Sequence, residues 1–104
     1  MSLYIHSAQT FMARLLGLHA RRLDGENGGL HLDPCRAVHT FGLPDAIDLV
    51  FLDESQLPVR VVRCLPPWRI AICTRARSVV ELPAGYCDGH PDFAERIRHA
   101  LGRG

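Results

Sequence analysis

Ile47-Asp48-Leu49-Val50-Phe51-Leu52 carries apolar side chains on both faces of an extended chain, broken by a single aspartate. That pattern predicts a central strand covered on two sides. Val59 to Leu65 is rich in β-branched residues and predicts a second long strand. Trp68, Ile70 and Ile72 alternate with Arg69, Ala71 and Cys73, the period of a half-buried strand with one wet face. Shorter strands are predicted at Tyr4-Ile5, Leu30 to Leu32, Ala37 to Phe41 and Ser78 to Leu82.

Two segments change period. From Ala8 to about His19, Phe11, Leu15 and Leu18 recur at helical spacing, with Ser7 placed as a cap. Near the C-terminus, Phe93, Ile97 and Leu101 mark a second amphipathic helix over about 91–101. Asp92 and Arg96 form an i, i+4 pair there, and Gly102 sits at a stop position. Punctuation separates the elements. Asp24 to Gly29 reads as a loop and Asp53 to Gln56 as a polar turn. Pro66-Pro67 forbids a tight hairpin turn, so the connection there is a wider corner.

About six strands with short connections, bracketed by an N-terminal and a C-terminal helix, predict a mainly-β α+β domain. The sheet is antiparallel or mixed, and a small, partly closed barrel is one form it can take. No helix separates the strands, which excludes a doubly wound fold. The length of 104 residues makes this one domain, 1–104.

Composition narrows the function classes. A net charge of +1 supplies no global attraction to nucleic acid or an anionic membrane. No run approaches the roughly 20 apolar residues of a membrane span. The N-terminus lacks a basic segment followed by an apolar one, so a cytoplasmic protein without membrane insertion is expected. Cys35, Cys64, Cys73 and Cys87 contain no CxxC pair, and free thiols are expected. Gly28-Gly29 follows no apolar strand and is no phosphate-binding fingerprint; no cofactor is implied.

Candidate chemistry gathers ahead of the central strand, in Cys35, Arg36, His39, Thr40 and Asp48. Cys35 and His39 are metal-ligand types, but four residues of extended chain separate them by about 13 Å. No metal site is assigned. The same two residues could form a nucleophile pair oriented by Asp45 or Asp48 if the fold brought them together. Alternatively, Arg36, His39, Thr40 and Asp48 line a shallow binding cleft, or Asp48 simply fixes a turn. Arg60, Arg63, Arg69, Arg75 and Arg77 suggest a basic stripe, but aromatic side chains for stacking are few and no nucleic-acid partner is expected.

Four blocks occur in order: Arg14-x-x-Gly17-Leu18; Pro34-Cys35 with His39-Thr40-Phe41-Gly42; Ile47-Asp48-x-Val50-Phe51-Leu52-Asp53; and Glu81-Leu82-Pro83-Ala84-Gly85. Together they resemble the bacterial and archaeal family known as domain of unknown function 192, over about residues 8–85. The resemblance implies a small β-rich domain with peripheral helices. It implies no reaction, ligand or catalytic residue. Leu43 stands where many members have Met, and Tyr86 to His90 replaces a further strand.

The sequence therefore points to a non-enzymatic domain that binds an unknown protein or a small anionic ligand, with Arg36, His39, Thr40 and Asp48 as its candidate site. The alternative is a small hydrolytic or redox enzyme using Cys35 and His39.

Overall fold

A computed structural model describes residues 3–8 and 28–102. Among the described residues there are seven strands: β1 (Tyr4–Ala8), β2 (Gly28–Leu32), β3 (Ala37–His39), β4 (Ile47–Leu52), β5 (Pro58–Leu65), β6 (Ile70–Ile72) and β7 (Ser78–Pro83). Two helices follow, α1 (Tyr86–Gly89) and α2 (Phe93–Gly102). Five strands form a sheet in the order β1-β2-β7-β4-β5, and β3 pairs with β6 in a separate two-stranded ribbon. Pairing is antiparallel except between β1 and β2. The fold is mainly β, as the alternation predicts. Among the described strands no barrel closes.

β4 lies between β7 and β5, and all six of its residues are buried. Its two faces serve two cores. Ile47, Leu49 and Phe51 join Leu30, Leu32 and Val79 under the ribbon residues Val38, Ala71 and Cys73. Val50 and Leu52 join Val80, Leu82, Leu3, Tyr86, Cys87 and Ile97 on the opposite side, where Phe93 and Leu101 of α2 also pack. Burying each large apolar side chain contributes about 1.5–3 kcal/mol. The two-sided apolar run of β4 is thus explained by two separate coverings, the ribbon above and the helices below.

Several expectations change. Ser7 and Ala8 belong to β1, and the rest of the helix expected up to about His19 lies outside the described residues. Gly28 and Gly29 open β2 instead of ending a loop. A Cβ at Gly29 would meet Leu82 Cδ2 at 3.0 Å, so a glycine there leaves room for the Leu82 side chain of the neighbouring strand. β3 stops at His39, and Gly102 falls within α2. β6 is half-buried, as its period predicts, and the structure shows which face is inward. Ala71 and Cys73 face the core, while Ile70 and Ile72 face out. Small side chains suit the inner side because the ribbon sits directly on the Leu49–Phe51 face of the sheet.

The ribbon meets β5 without a ladder. Arg60 of β5 donates through Nη1 to the Ile72 carbonyl, and Arg75 Nη2 donates to the Val59 carbonyl at 3.4 Å. Two guanidinium groups therefore link β5 to the ribbon and the turn that follows it. No helix among the described residues is long and apolar enough to cross a membrane.

Candidate functional site

The candidates from the approach to β4 divide between the two sides of the sheet. Asp48 shares the face of Val50 and Leu52 and is fully buried. Its Oδ1 accepts the main-chain N–H groups of Cys64 at 2.9 Å and Gly85 at 3.1 Å. Its Oδ2 accepts the N–H of Cys87 at 2.9 Å. Each donor has a local cause. The β4–β5 register shifts between Ile47 and Leu49, and Cys64 sits in that irregularity at φ 52°, its N–H turned to the carboxylate. Gly85 adopts φ 87°, which glycine allows without steric cost, and starts α1 with no side-chain cap of its own. Asp48 supplies the missing cap from β4. It is a bolt joining β4, β5 and α1.

Cys87 beside it is a poor nucleophile. Burial, then the adjacent Asp48 carboxylate, push its thiol up to about 12. Tyr86 is also raised by burial, which the nearby Arg96 guanidinium offsets in part. The Tyr86 ring stacks on His90 at 4.1 Å between centroids.

Thr40 lies on the other side of the sheet and is equally buried. Its hydroxyl donates to the Pro66 carbonyl at 2.7 Å and accepts the Arg69 N–H at 2.9 Å. Its main-chain N–H donates to Arg69 O at 2.9 Å, and its carbonyl accepts the Trp68 N–H at 3.3 Å. One threonine thus defines the wide Pro66–Arg69 corner. Within that corner Trp68 is held at φ 64°, a left-handed conformation that costs a non-glycine residue about 1–2 kcal/mol.

Arg36 and His39 flank the same ribbon. Arg36 is exposed and donates through Nε to Ala76 O at 3.1 Å. His39 packs its ring 5.1 Å from Phe41. Cys35 has a different neighbour: its thiol donates to Ala37 O at 3.1 Å. All four cysteines are free thiols. Among the described residues no three His, Cys, Asp or Glu side chains gather as metal ligands. The predicted cleft of Arg36, His39, Thr40 and Asp48 therefore does not assemble as one site. Arg36, His39 and Thr40 stay with the ribbon, and Asp48 belongs to the far side of the sheet.

What the ribbon presents instead is an exposed apolar strip. Trp68 is 66% exposed, Ile70 59%, Ile72 52% and Phe41 40%. Phe41 and Trp68 stack with centroids 5.6 Å apart and ring planes 26° from parallel. His39 pairs opposite Ile70 across the ribbon. The strand period at 68–73 locates this strip, but the period does not say which of its two faces is inward. Two further internal polar residues lacked a sequence signal. Glu81 is buried in β7, in register with Leu30 and Leu49. His31 is buried in β2, its Nε2 without a hydrogen-bond partner, and burial lowers its pKa against the opposing pull of Asp33.

Known proteins align with this chain along most of its length. The family described as uncharacterised ACR, domain of unknown function 192, matches residues 2–91. UPF0127 protein PH1112 of Pyrococcus horikoshii is 39% identical over 64 residues, which are 60% of this chain and 55% of that protein. The aligned stretch thus spans about half of the relative's own length. A protein of unknown function from Novosphingobium aromaticivorans superposes with a TM-score of 0.69 at 15% identity, over 84% of this chain and 67% of the other. A Sinorhizobium meliloti protein named "putative transcription regulator" superposes with a TM-score of 0.72 at 19% identity, over 86% and 74%. At those identities the two structures establish a shared fold.

Proposed function

The chain belongs to the family of domain of unknown function 192, and within it we propose that this member is a non-catalytic protein-binding module whose contact surface is the outer face of the β3–β6 ribbon. One observation carries the proposal: Trp68 is 66% exposed while held at a strained φ of 64°. Exposed tryptophan is a frequent anchor of protein interfaces. Backbone strain maintained by surrounding contacts is a feature of functional surfaces. Ile70, Ile72 and Phe41 extend the apolar area around that anchor. The candidate residues Arg36 and His39 border the strip, Thr40 shapes it from beneath, and Asp48 supports the fold rather than the contact.

The test compares proteins retained from a native extract by the wild-type chain and by an Ile70→Ser/Ile72→Ser variant. Both isoleucines are more than half exposed, so the variant is expected to keep the wild-type melting temperature. Partners recovered by the wild type and lost by the variant support the assignment. An identical set of retained proteins refutes it.

A further inference from the structure

Six of the eight arginines of the described residues fall into two groups; of the others, Arg36 bonds the Ala76 carbonyl and Arg98 lies on α2. Arg63, Arg77 and Arg96 each pair with a carboxylate at 2.9 Å, on Asp88, Asp33 and Asp92 respectively. Arg60, Arg69 and Arg75 do not. Their guanidinium groups bond main-chain carbonyls, those of Ile72, Trp68 and Val59. These three carbonyls lie in β6, just before it, and in the strand facing it. Three cations held by carbonyls rather than by carboxylates thus stand beside the exposed strip. A carbonyl bond fixes the direction of a guanidinium without neutralising it, and the remaining N–H donors stay available for a bidentate acceptor.

We infer that the ribbon takes an acidic, apolar peptide segment of a partner protein, its aliphatic side chains on Ile70, Ile72 and Trp68 and its carboxylates on Arg60, Arg69 and Arg75. The inference rests on the ribbon being the protein-contact surface and adds the chemistry of the partner. Charge complementarity selects acidic residues: a carboxylate placed among three uncompensated guanidinium groups is favoured, and a cation is repelled. The aliphatic half of the strip selects aliphatic side chains. Nucleic acid fits less well. Phe41 has His39 at 5.1 Å and Trp68 at 5.6 Å, so its ring is already engaged by neighbours. Single-strand binders offer successive open rings to successive bases, and two isoleucines offer none.

The test uses Trp68, the single tryptophan of the chain, as a built-in reporter. A short peptide alternating Glu with Leu is titrated against the full chain, alongside a Lys–Leu peptide, a Glu–Ser peptide and an oligothymidylate. The Glu–Leu peptide is expected to change Trp68 emission saturably and to weaken with added salt, while the Lys–Leu and Glu–Ser peptides bind at least about tenfold more weakly. Arg60→Gln/Arg75→Gln is expected to lose about tenfold in affinity, and Arg60→Lys/Arg75→Lys to retain more of it. Melting curves check that both variants fold. Equal binding of the Glu–Leu and Lys–Leu peptides overturns the inference, as does tighter binding of the oligothymidylate. So does failure of every peptide while native partners remain sensitive to Ile70→Ser/Ile72→Ser; in that case the ribbon stays a contact surface and only the partner chemistry falls.

Discussion

Asp48 Oδ2 accepts the main-chain N–H of Cys87 at 2.9 Å, although the two residues are 39 positions apart in the chain. The same carboxylate holds Cys64 and Gly85 through its other oxygen. Asp48→Ala leaves three main-chain donors without this acceptor in a buried place. The expected loss is about 3–5 kcal/mol in urea unfolding, since an unmatched buried donor costs about 1–3 kcal/mol. Asp48→Asn keeps one acceptor oxygen and should lose less. A loss below about 1 kcal/mol for Asp48→Ala would remove Asp48 from its role as the junction of β4, β5 and α1.

The thiols should separate by reactivity. At pH 8, a group pushed up to about 12 is thiolate in only about one molecule in ten thousand, so native Cys87 should resist iodoacetamide. Cys64 is exposed and should be alkylated well before it. Peptide mapping of a labelling time course reads the order directly. Early modification of Cys87 in the folded protein would contradict the burial beside Asp48.

Acid should weaken the fold through His31. Its folded-state pKa lies below the ordinary 6.5 because burial disfavours the imidazolium, with Asp33 opposing. The unfolded chain therefore binds this proton first as the pH falls. Stability contributed by the neutral form is fully present above about 6.5 and is lost as the pH drops through the folded-state value. Urea midpoints measured from pH 7.5 to 5 should decline, and His31→Gln should flatten the part of the slope that this residue supplies. A variant slope identical to the wild type would assign the acid sensitivity to other groups.

Thr40→Val keeps the shape of the side chain and removes its hydroxyl. The Pro66 carbonyl loses a donor and the Arg69 N–H loses an acceptor. About 1–3 kcal/mol of stability should go with them. The corner that holds Trp68 at φ 64° should loosen at the same time, and binding to the ribbon should weaken. Trp68 fluorescence anisotropy reports the corner separately from global unfolding. Unchanged anisotropy would mean that the main-chain bonds of Thr40 suffice to hold it.

Element positions were largely legible because burial imposes a period on the chain. Ile47–Leu52 is a strand at the residues predicted, since an apolar run on both faces fits only a doubly covered position. Ile97 of α2 is buried, with Phe93 and Leu101 packed beside it, as helical spacing requires. Facing was harder. In β6 the larger residues lie outside, because the inner face is set by how closely the ribbon approaches the sheet, a distance no local period encodes. The start of α1 was hidden for a related reason: its cap comes from Asp48 on a distant strand. The candidate cleft joined residues near in sequence. The alternation of β4 sends Asp48 away from the side that Thr40 occupies, so nearness along the chain became separation across the sheet.

The guanidinium lacing between β5 and β6 has a consequence for how the molecule can be remodelled. The seam itself consists of side-chain contacts of Arg60 and Arg75 and no strand–strand ladder, while the ribbon is held to the frame by its inner residues Val38, Ala71 and Cys73. Ile70 and Ile72 point away from both cores. The outer ribbon face is therefore a panel that can change its residues, and with them its specificity, while the five-stranded frame keeps its own stability.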